Sequence, residues 1–535
     1  MNRPNRHPTG ETEASALLPY AGPVPVDTFG GRVHVEWDPQ AAVTPLGQLP
    51  FFTEFLQVSG LFDPWVESCP LSLTSPNAPS KRDVLGTAVL AILSGHQRYA
   101  HISALRGDTV NPPLLGMSKV VSEDSVRSNL GKLDEIQGVT WLQDHLGDCV
   151  RPLLSEPWIL DSDVTVKPLY GHQEGAVKGY NPHKPGRPSH TYHTYFLSSL
   201  RLVLDVEVQA GNQTASKYSS PGLWELLGRL PRAHWPVAIR GDRDWGTQAN
   251  MARAEQEDLP YLFKLRMTAG VKKIVERLMR GTAWSDAGQG WQGAETRLRL
   301  AGWSRARRTL VLRRRIKADL AMVDESNPEQ LRLSFAELTD DTVVYEYAVL
   351  VTSLPGEILT IAQLYRDRAD AENPFDELKN HWGWGGFTTQ DLKRCRFMAR
   401  ITALTYNWWS LFVRLADPRQ HTEAITSRPL GAPHPAWRTD PPHHQSPACR
   451  SRLGRERLPR DRGLLPNAAP NCGAVDAAAT LVPGALPRPG EVPQWPRIAP
   501  AAGSTGPGIA RISSPRVPGG GLETARDGLV LLFLG

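Results

Sequence analysis

Three acidic residues, far apart in the chain, are the strongest candidates for chemistry. Asp163 lies in the predicted strand PWILDSDVTVKPL, Asp242 ends the predicted strand WPVAIRGD, and Glu372 lies in a predicted helix 130 residues after Asp242. Carboxylates at strand ends and on a nearby helix can meet at one edge of a sheet and hold two Mg²⁺ ions. Two such ions activate a water or hydroxyl nucleophile and stabilise the leaving oxygen of a phosphodiester. Any single acid is more simply explained as a loop cap or a solvated side chain, so only the combination predicts a metal site.

Polar side chains around Glu372 recur at helical spacing. They stand at offsets of 0, +3, +7 and +14, which return to one face of a helix at nearly every turn: Tyr365, Arg368, Glu372 and Lys379. On such a face the carboxylate could bind metal, while the phenol and the two cations hold phosphate oxygens beside it. The alternative is a series of ion pairs on an exposed helix. Pro374 could also disturb the helix soon after Glu372.

The same four residues carry a resemblance to a known family. Their spacing matches the Y-R-E-K signature of insertion-sequence DDE transposases. LDSDVTVKPLYGHQEGAVKGYNPHKPGRPSH resembles the first-Asp region, and IRGDRDWG the second-Asp region, of the branch called insertion-sequence group 1380. WGWGGFTTQDLKRCRFMARITALTYNWWSLFVRLADP and HTEAITSRPL resemble the part that follows the Glu in that branch. The resemblance covers residues 30–430.

The resemblance implies a catalytic core and assigns its acids. The fold it implies is an α/β, RNase H-like mixed sheet that a β-rich insertion interrupts between the second Asp and the Glu. The family's acids fall on Asp163, Asp242 and Glu372, which would catalyse and hold two Mg²⁺ or Mn²⁺ ions. Asp161 is the rival for the first position, because residues two apart in a strand share a face. Asp163 is preferred because the family's acid commonly precedes Thr by two residues, as Asp163 precedes Thr165.

The resemblance also implies the reaction and its partners. It predicts a cut-and-paste transposase whose Tyr365, Arg368 and Lys379 contact DNA. The released 3′-hydroxyl would attack the opposite strand to form a hairpin, and target DNA later. The implied partners are transposon-end and target DNA, bound by a homodimer in a synaptic complex. The alternative is a catalytically inactive, transposase-derived protein that only binds DNA.

Two departures from the family pattern stand out. Where the family often has Gly and an aromatic residue after the second Asp, this chain has Asp244 and Trp245, and Asp244 adds a negative charge near the predicted metals. After Leu430, the family's apolar helical segment is missing. A sequence rich in Ala, Gly, Pro and Arg replaces it, which is the composition that a shifted reading frame in GC-rich DNA would produce. We expect residues 431–535 to be disordered.

Basic and aromatic side chains near the acids suggest further DNA contacts. His183, Lys184 and Arg187 lie in the Pro- and Gly-containing stretch GYNPHKPGRPSH, soon after the first acid. Cations on a stiff loop beside a metal site suit phosphate contacts, although an ordinary solvated loop explains them equally well. Trp382 and Trp384 could stack on an unpaired base at a transposon end, but core packing is the simpler explanation for them.

The hydrophobic pattern before the first acid predicts helices. These are expected over Leu49 to Trp65, Lys81 to Arg106 and Ser122 to Gln137, with Ser122 as an N-cap. The last follows a Gly/Pro break and carries three polar side chains, so it could be the recognition helix of a helix-turn-helix motif: Arg127, Asn129 and Lys132. The alternative is a solvated helix that packs on its neighbours.

Six segments summarise the predicted organisation. Strands and helices alternate between residues 157 and 267, which indicates a mixed α/β sheet. The prediction is, in order, a loose N-terminal arm (1–30), a helical DNA-end-binding domain (31–150), the first part of the catalytic core (151–281), a β-rich insertion (282–353), the helical second part of the core (354–430) and a low-complexity tail (431–535).

Composition limits the remaining possibilities. The net charge of +5 comes entirely from residues 431–535, which have 12 Arg, no Lys and 7 acidic residues, so global charge says little about nucleic acid. No apolar run approaches the ~18 residues of a membrane span, and the N-terminus lacks a secretory h-region. The 5 cysteines form no CxxC pair, which argues against a zinc ribbon or disulfide framework. The cysteine pattern fits a reducing cytoplasm, and the resemblance implies a bacterial protein that acts at the nucleoid.

Overall fold

A mixed β-sheet collects the strands that carry the candidate acids. The computed structural model describes residues 24–38, 49–108, 111–181, 184–215, 217–281, 283–316, 344–368, 372–416, 448–452, 523–524 and 530–532. Within them, none of the helices combines the length and the apolar character needed to cross a membrane.

The part before the sheet is mostly helical. Its described residues form a hairpin and six α-helices: β1 (Val24–Thr28), β2 (Gly31–Asp38), α1 (Leu49–Ser59), α2 (Phe62–Glu67), α3 (Lys81–Leu93), α4 (Asn111–Leu114), α5 (Glu123–Lys132) and α6 (Glu135–Val150). The hairpin corrects the prediction of a loose arm for residues 24–30, because β1 pairs along its whole length with β2.

The predicted helices of this part exist, but each is shorter than expected. The first is divided at Gly60, whose φ of 65° belongs to a left-handed turn. The second ends at Leu93, and the third ends at Lys132 before a new helix begins at Glu135. Ser122 is the N-cap as predicted, since its side chain accepts a hydrogen bond from the backbone N–H of Ser125.

The structure weakens the recognition-helix interpretation of α5. Asn129 is buried, and its amide donates a hydrogen bond to the backbone oxygen of Ser125 on the same helix. Arg127 pairs with Asp124, and Lys132 donates a hydrogen bond to Asn129. The Asn129 side chain is therefore buried and hydrogen-bonded within the protein, as the alternative of a helix packed on its neighbours predicts.

Strands and helices then alternate, as the sequence predicts. Their bounds are β3 (Ile159–Pro168), β4 (Val177–Lys178), β5 (Pro188–Leu197), β6 (Leu202–Ala210), α7 (Ser219–Gly228), β7 (Ala238–Gly241), α8 (Gln248–Gln256) and β8 (Tyr261–Lys264). β5 and β6 are rich in β-branched and aromatic residues, which favour strands. β3, β7 and β8 pair in parallel, whereas β5 pairs antiparallel with both β3 and β6.

The β-rich segment continues this sheet. It follows α9 (Ala269–Gly281) and contains β9 (Ser285–Gly288), β10 (Trp291–Leu298), β11 (Arg307–Ile316) and β12 (Val344–Thr352). β12 pairs antiparallel with β8 as well as with β11. The resulting strand order is β4-β5-β3-β7-β8-β12-β11-β10-β9, with β6 beside β5. The segment predicted to be β-rich thus extends the sheet that carries the acids.

The helices that follow contain a break where the sequence suggests one helical face. They are α10 (Ile358–Arg366), α11 (Glu372–Asn380) and α12 (Leu392–Ala416). The prediction of an uninterrupted helix from Tyr365 to Lys379 is therefore wrong. Pro374 gives a physical reason: it lacks an N–H and clashes with the preceding turn, so it is tolerated in the first turn of α11 but not inside a longer helix.

Most of the tail predicted to be disordered lies outside the described residues. The described part of it forms three short strands: β13 (Ala448–Arg452), β14 (Glu523–Thr524) and β15 (Val530–Leu532). β13 pairs with β2, and β15 pairs with both β12 and β14. The expectation of little regular structure is thus wrong for these ten residues. The reading-frame hypothesis remains a prediction.

The long helix α12 anchors the helical part to the sheet through buried polar groups. Every residue from Phe397 to Ser410 is buried, so the polar side chains among them need partners inside the protein. The side-chain amide of Asn407 binds both the N–H and the C=O of Val203 on β6. Arg400 is fully buried and pairs with Asp205 at 2.9 Å and with Glu207 at 2.6 Å. These carboxylates more than offset the cost of burying the guanidinium, so the pKa of Arg400 is raised.

We expect Arg400→Met to destabilise the protein by about 3–5 kcal/mol, because the buried Asp205 carboxylate then keeps only the more distant Arg229, at 3.8 Å, as a cationic partner. The control is Arg151→Ala, which removes an exposed pair with Asp148 and should cost about 1 kcal/mol or less. Urea denaturation monitored by tryptophan fluorescence measures both. Equal losses would contradict the anchoring role of Arg400.

Burial of His193 should make the protein sensitive to acid. Burial lowers the pKa of this histidine on β5 to about 4, and its ring bonds the hydroxyl of Ser219 at 2.6 Å. The neutral ring thus contributes stability that is fully present above the unfolded pKa near 6.5 and is lost as the pH falls through about 4. His193→Gln should flatten this dependence, which amounts to about 3 kcal/mol at most. Unfolding free energies at pH 7, 5.5 and 4 measure it, and parallel curves for the two proteins would refute it.

Candidate active site

The pairing of β3 with β7 brings two candidate acids side by side. In this parallel register Asp161 lies opposite Arg240, and Ser162 lies opposite Gly241. β7 ends there, so Asp242 follows the strand end at the level of Asp163, while β3 continues to Pro168. The carboxyl ends of neighbouring parallel strands are where sheets of this kind place functional groups.

The electrostatics of Asp242 show how close the two carboxylates are. Burial and, after it, the neighbouring carboxylates of Asp163 and Asp244 raise its pKa to about 6, against the opposing effect of Arg368. The backbone N–H of Asp244 donates a hydrogen bond of 2.9 Å to the Asp242 carboxylate. Such a buried, mutually repelling pair of acids is an arrangement that a cation stabilises.

Arg368 supplies positive charge at this point. Its guanidinium donates a hydrogen bond of 2.5 Å to Asp163, and both side chains are nearly buried. Burial opposes the charge of Arg368, but Asp163, Tyr365 and Asp242 more than compensate and raise its pKa. Its Nε–H is buried and has no acceptor among the residues that the structure describes. The arginine therefore faces both acids and keeps one donor unused within the described structure.

Asp161, the alternative first acid, has a different environment. It is fully buried, and both its oxygens accept hydrogen bonds from Arg240, at 2.7 and 2.6 Å. Arg240 also donates to the backbone oxygen of Leu364 in α10 and to the hydroxyl of Ser198. This network ties β3, β7 and α10 together, so the geometry favours a structural role for Asp161 and leaves Asp163 as the acid at the site.

The residues of the helical signature reach the site from two helices. Arg368 lies just beyond α10, and Tyr365 in its last turn contributes to the electrostatics of Arg368. Lys379 lies near the end of α11, where burial lowers its pKa and the carboxylates of Asp376 and Asp163 oppose that effect. Asp163 is thus the common neighbour of Arg368 and Lys379. Glu372 is the first residue of α11, and its side chain lies outside the described residues.

A cavity of about 680 Å³ opens beside the acids. Its walls come from the part of β3 beyond Asp163, the ends of β7 and β8, the loop after β6, and α11. Four cationic side chains line it together with the two acids of the β7 end, and the lining includes Tyr180, Asp242, Arg243, Asp244, Lys264, Arg266 and Lys379. Asp244 pairs with Arg266 at 2.6 Å. The extra acid noted in the sequence is therefore balanced by a cation of its own.

Lys264 is a site residue that sequence reasoning missed. It is the last residue of β8, the parallel neighbour of β7, and burial lowers its pKa while Asp242 opposes that effect. The signal was present in YLFKLRM, because a strand that follows WPVAIRGD through one helix in an α/β pattern ends at the same edge of the sheet.

The predicted basic loop lies on the surface. Lys184 and Arg187 are exposed, and their cationic groups lie 4.9 and 4.8 Å from the centre of the Tyr170 ring. His183 lies outside the described residues.

The two tryptophans that follow the helix of Glu372 lie inside the protein. Trp382 and Trp384 are buried in the core, and the Trp384 indole donates to the backbone oxygen of Ala399. The core-packing explanation is confirmed for both, and base stacking is wrong.

The donor set fits a divalent cation in part. Asp163 and Asp242 offer hard carboxylate oxygens at adjacent strand ends, and their mutual repulsion is what Mg²⁺ would relieve. Among the residues described, no three His, Cys, Asp or Glu side chains come together as a metal site. Two of the three predicted ligands are thus placed together, and the third, Glu372, begins the helix that carries Lys379.

One of the comparisons with known proteins identifies a family. The family model described as "Transposase DDE domain group 1" matches residues 78–430, which is about two thirds of the chain and ends where the composition changes. Among solved structures, piggyBac transposase in its synaptic complex with hairpin DNA matches with 12% identity and a TM-score of 0.36, over 73% of this chain and 80% of that one. No curated protein matches.

The contrast between the two candidate first acids can be measured. Asp161→Asn should lower the unfolding free energy by about 3 kcal/mol, because it leaves the buried Arg240 without a carboxylate. Asp163→Asn should cost about 1 kcal/mol or less, since Arg368 still faces Asp242 and the repulsion on Asp242 is relieved. Urea denaturation in EDTA at pH 7.5 tests both. A larger loss for Asp163→Asn would reverse the assignment.

Proposed function

The chain belongs to the group 1 family of DDE-domain transposases, and we propose from this membership and from the strand-end acids that it cuts and joins DNA at the ends of an insertion sequence. The observation that carries the proposal is the half-buried pair Asp163 and Asp242, which shares Arg368 and lies beside a cation-lined cavity. A phosphodiester brings the negative charge that such a cavity attracts, and acids beside it can hold the cations that phosphoryl transfer needs.

Within this proposal the acids hold the metal and the cations hold the DNA. Asp163, Asp242 and Glu372 would bind two Mg²⁺ or Mn²⁺ ions, which when bound activate the attacking oxygen and neutralise charge on the leaving oxygen. Arg368 keeps the first acid oriented through their ion pair, and its remaining donor can bind a phosphate oxygen. Lys379 and Lys264 place positive charge at the cavity wall, where the scissile phosphate would lie.

The proposed reaction is a pair of in-line displacements at phosphorus. In the first, a water oxygen bonds to the phosphorus and the bond to the 3′ oxygen breaks, so that a 3′-hydroxyl and a 5′-phosphate are released. In the second, that hydroxyl attacks another phosphodiester, and one new P–O bond replaces one broken bond. Positioning and charge neutralisation provide most of the catalysis in such transfers.

The finer parts of the proposal rest on the sequence resemblance. They are membership of insertion-sequence group 1380 and its Y-R-E-K class, an RNase H-like core preceded by a helical DNA-end-binding domain, cut-and-paste transfer through a hairpin, a homodimer in the synaptic complex and action at the nucleoid. Lys184 and Arg187 are proposed to contact the phosphate backbone, which their exposure beside the β3 end permits.

Two substitutions on α11 should separate metal chemistry from phosphate binding. Glu372→Gln should abolish Mg²⁺-dependent nicking and leave binding to end DNA within about twofold, because the amide keeps the shape but loses the charge that holds the ion. Lys379→Ala should weaken end binding and reduce its salt dependence by about one counterion. Binding and nicking are measured on one duplex at several salt concentrations.

Asp376→Asn is the matched control for the acid. It makes the same carboxylate-to-amide change at an exposed position one turn along the same helix, and nicking should persist. Undiminished nicking by Glu372→Gln would remove Glu372 from the metal site. A wild-type protein that binds ends but never nicks them would instead be an inactive, transposase-derived DNA-binding protein.

A further inference from the structure

Exposed aromatic rings are scarce in this structure and occur at one place. Of the aromatic side chains whose burial is described, only Tyr170 and Tyr180 are exposed, at 67% and 58% of their surface. The described tryptophans and phenylalanines are buried or half-buried. An exposed ring contributes little to folding, so two of them in one short stretch of chain indicate a surface that binds something.

Both tyrosines hold cations against their rings. Lys184 and Arg187 flank Tyr170, and Lys184 also donates a hydrogen bond to its hydroxyl. The guanidinium of Arg243 lies 5.6 Å from the centre of the Tyr180 ring and donates a hydrogen bond of 2.9 Å to its hydroxyl. Each ring thus has at least one cationic side chain against it. We call these five residues the tyrosine platform.

The platform adjoins the catalytic cavity. Tyr180 and Arg243 line the cavity together with Asp242. Tyr170 leaves the sheet just after β3, and Tyr180 leaves it just after β4. These two points lie on either side of Pro188 of β5. The backbone N–H of Leu169 donates a hydrogen bond to the Pro188 oxygen, and Lys178 of β4 pairs with Pro188 in the antiparallel register. Strands on either side of a shared neighbour are about 10 Å apart, so the two tyrosines leave the sheet at nearby points, Tyr180 at the cavity and Tyr170 two strands away.

The chemistry of the platform fits unpaired nucleotides. A duplex presents phosphates to a protein surface, and cations alone suffice to bind them. Aromatic rings add affinity only where the flat face of a base is available, as it is in single strands, where rings stack on bases and neighbouring cations bind the backbone. Alternating tyrosines and cations next to paired acids therefore match a single strand that leads out of the site.

We propose that the tyrosine platform binds an unpaired stretch of the DNA strand that enters or leaves the catalytic cavity, with Tyr180 stacking on the base nearest the acids. This inference rests on the proposed function and adds a substrate feature to it. It assigns a role to Tyr170, Tyr180 and Arg243, and it places Lys184 and Arg187 on an unpaired strand.

Equilibrium binding in EDTA tests the proposal on the full chain. The probes are a fluorescent oligothymidine and a duplex of the same length. Replacing both tyrosines by leucine should weaken binding of the single strand about tenfold or more, while duplex binding stays within about threefold. Replacing both by phenylalanine keeps the rings and should retain single-strand binding within about threefold. Both tyrosines are exposed, and thermal melting verifies that the variants fold.

Two results would overturn the proposal: single-strand binding that the leucine variant retains, or equal losses on single strand and duplex, which would make the platform a backbone contact. A measurement on the wild-type protein is independent of folding defects. Photocrosslinking with an iodouridine-substituted single strand should label Tyr170 or Tyr180, and labelling confined to other segments would refute the platform.

Nicking of end DNA in Mg²⁺ separates this inference from the proposed function. If the wild-type protein nicks ends but the leucine variant binds single strands normally, the platform is refuted and the function stands. If the wild-type protein neither binds nor nicks DNA, both are refuted. Nicking together with selective loss of single-strand binding supports both.

Discussion

The candidate site depends on holding two carboxylates together where water screens them only in part. Asp163 and Asp242 are adjacent because β3 and β7 pair in parallel, and burial together with the repulsion from Asp163 raises the pKa of Asp242. The positive charge of Arg368 offsets this repulsion. In turn, the two acids offset the unfavourable burial of the Arg368 guanidinium. The acids and the arginine therefore stabilise one another, and Arg368 keeps Asp242 as a partner when Asp163 alone is neutralised.

Local sequence predicted the parts of the site that depend on local structure. The strand ending in Asp242 and the strand carrying Asp163 follow from short hydrophobic runs, and so does the β-rich character of the segment before Glu372. The choice between Asp161 and Asp163 is different, because both lie on one face of one strand. It is decided by Arg240 on β7, which binds Asp161 from a position 79 residues away. No periodicity in the sequence contains that information.

The helical signature shows a second limit of sequence reasoning. Its spacing suggested one face of one helix, yet the chain reaches Asp163 from α10 and α11 separately. The residues converge because two helix ends meet over the same strand, with Pro374 in the first turn of the second helix. The spacing of the signature thus predicted correctly that Arg368 and Lys379 lie near each other's partner Asp163. Its explanation, a single continuous helix, was wrong. Lys264 and Tyr180 escaped notice because they belong to no signature, and only the sheet order brings them to the cavity.

The ion pair between Arg368 and Asp163 joins residues 205 positions apart, and this has a consequence for how the protein is made. During synthesis the strands that carry both acids emerge from the ribosome long before the arginine does. Loop closure over such a distance carries an entropy cost and slows folding. The nascent chain therefore carries Asp163 without its ion-pair partner while the next 205 residues are synthesised. A chain that stops before residue 368 lacks the cation that these acids need, so a truncated product is expected to have an incomplete site.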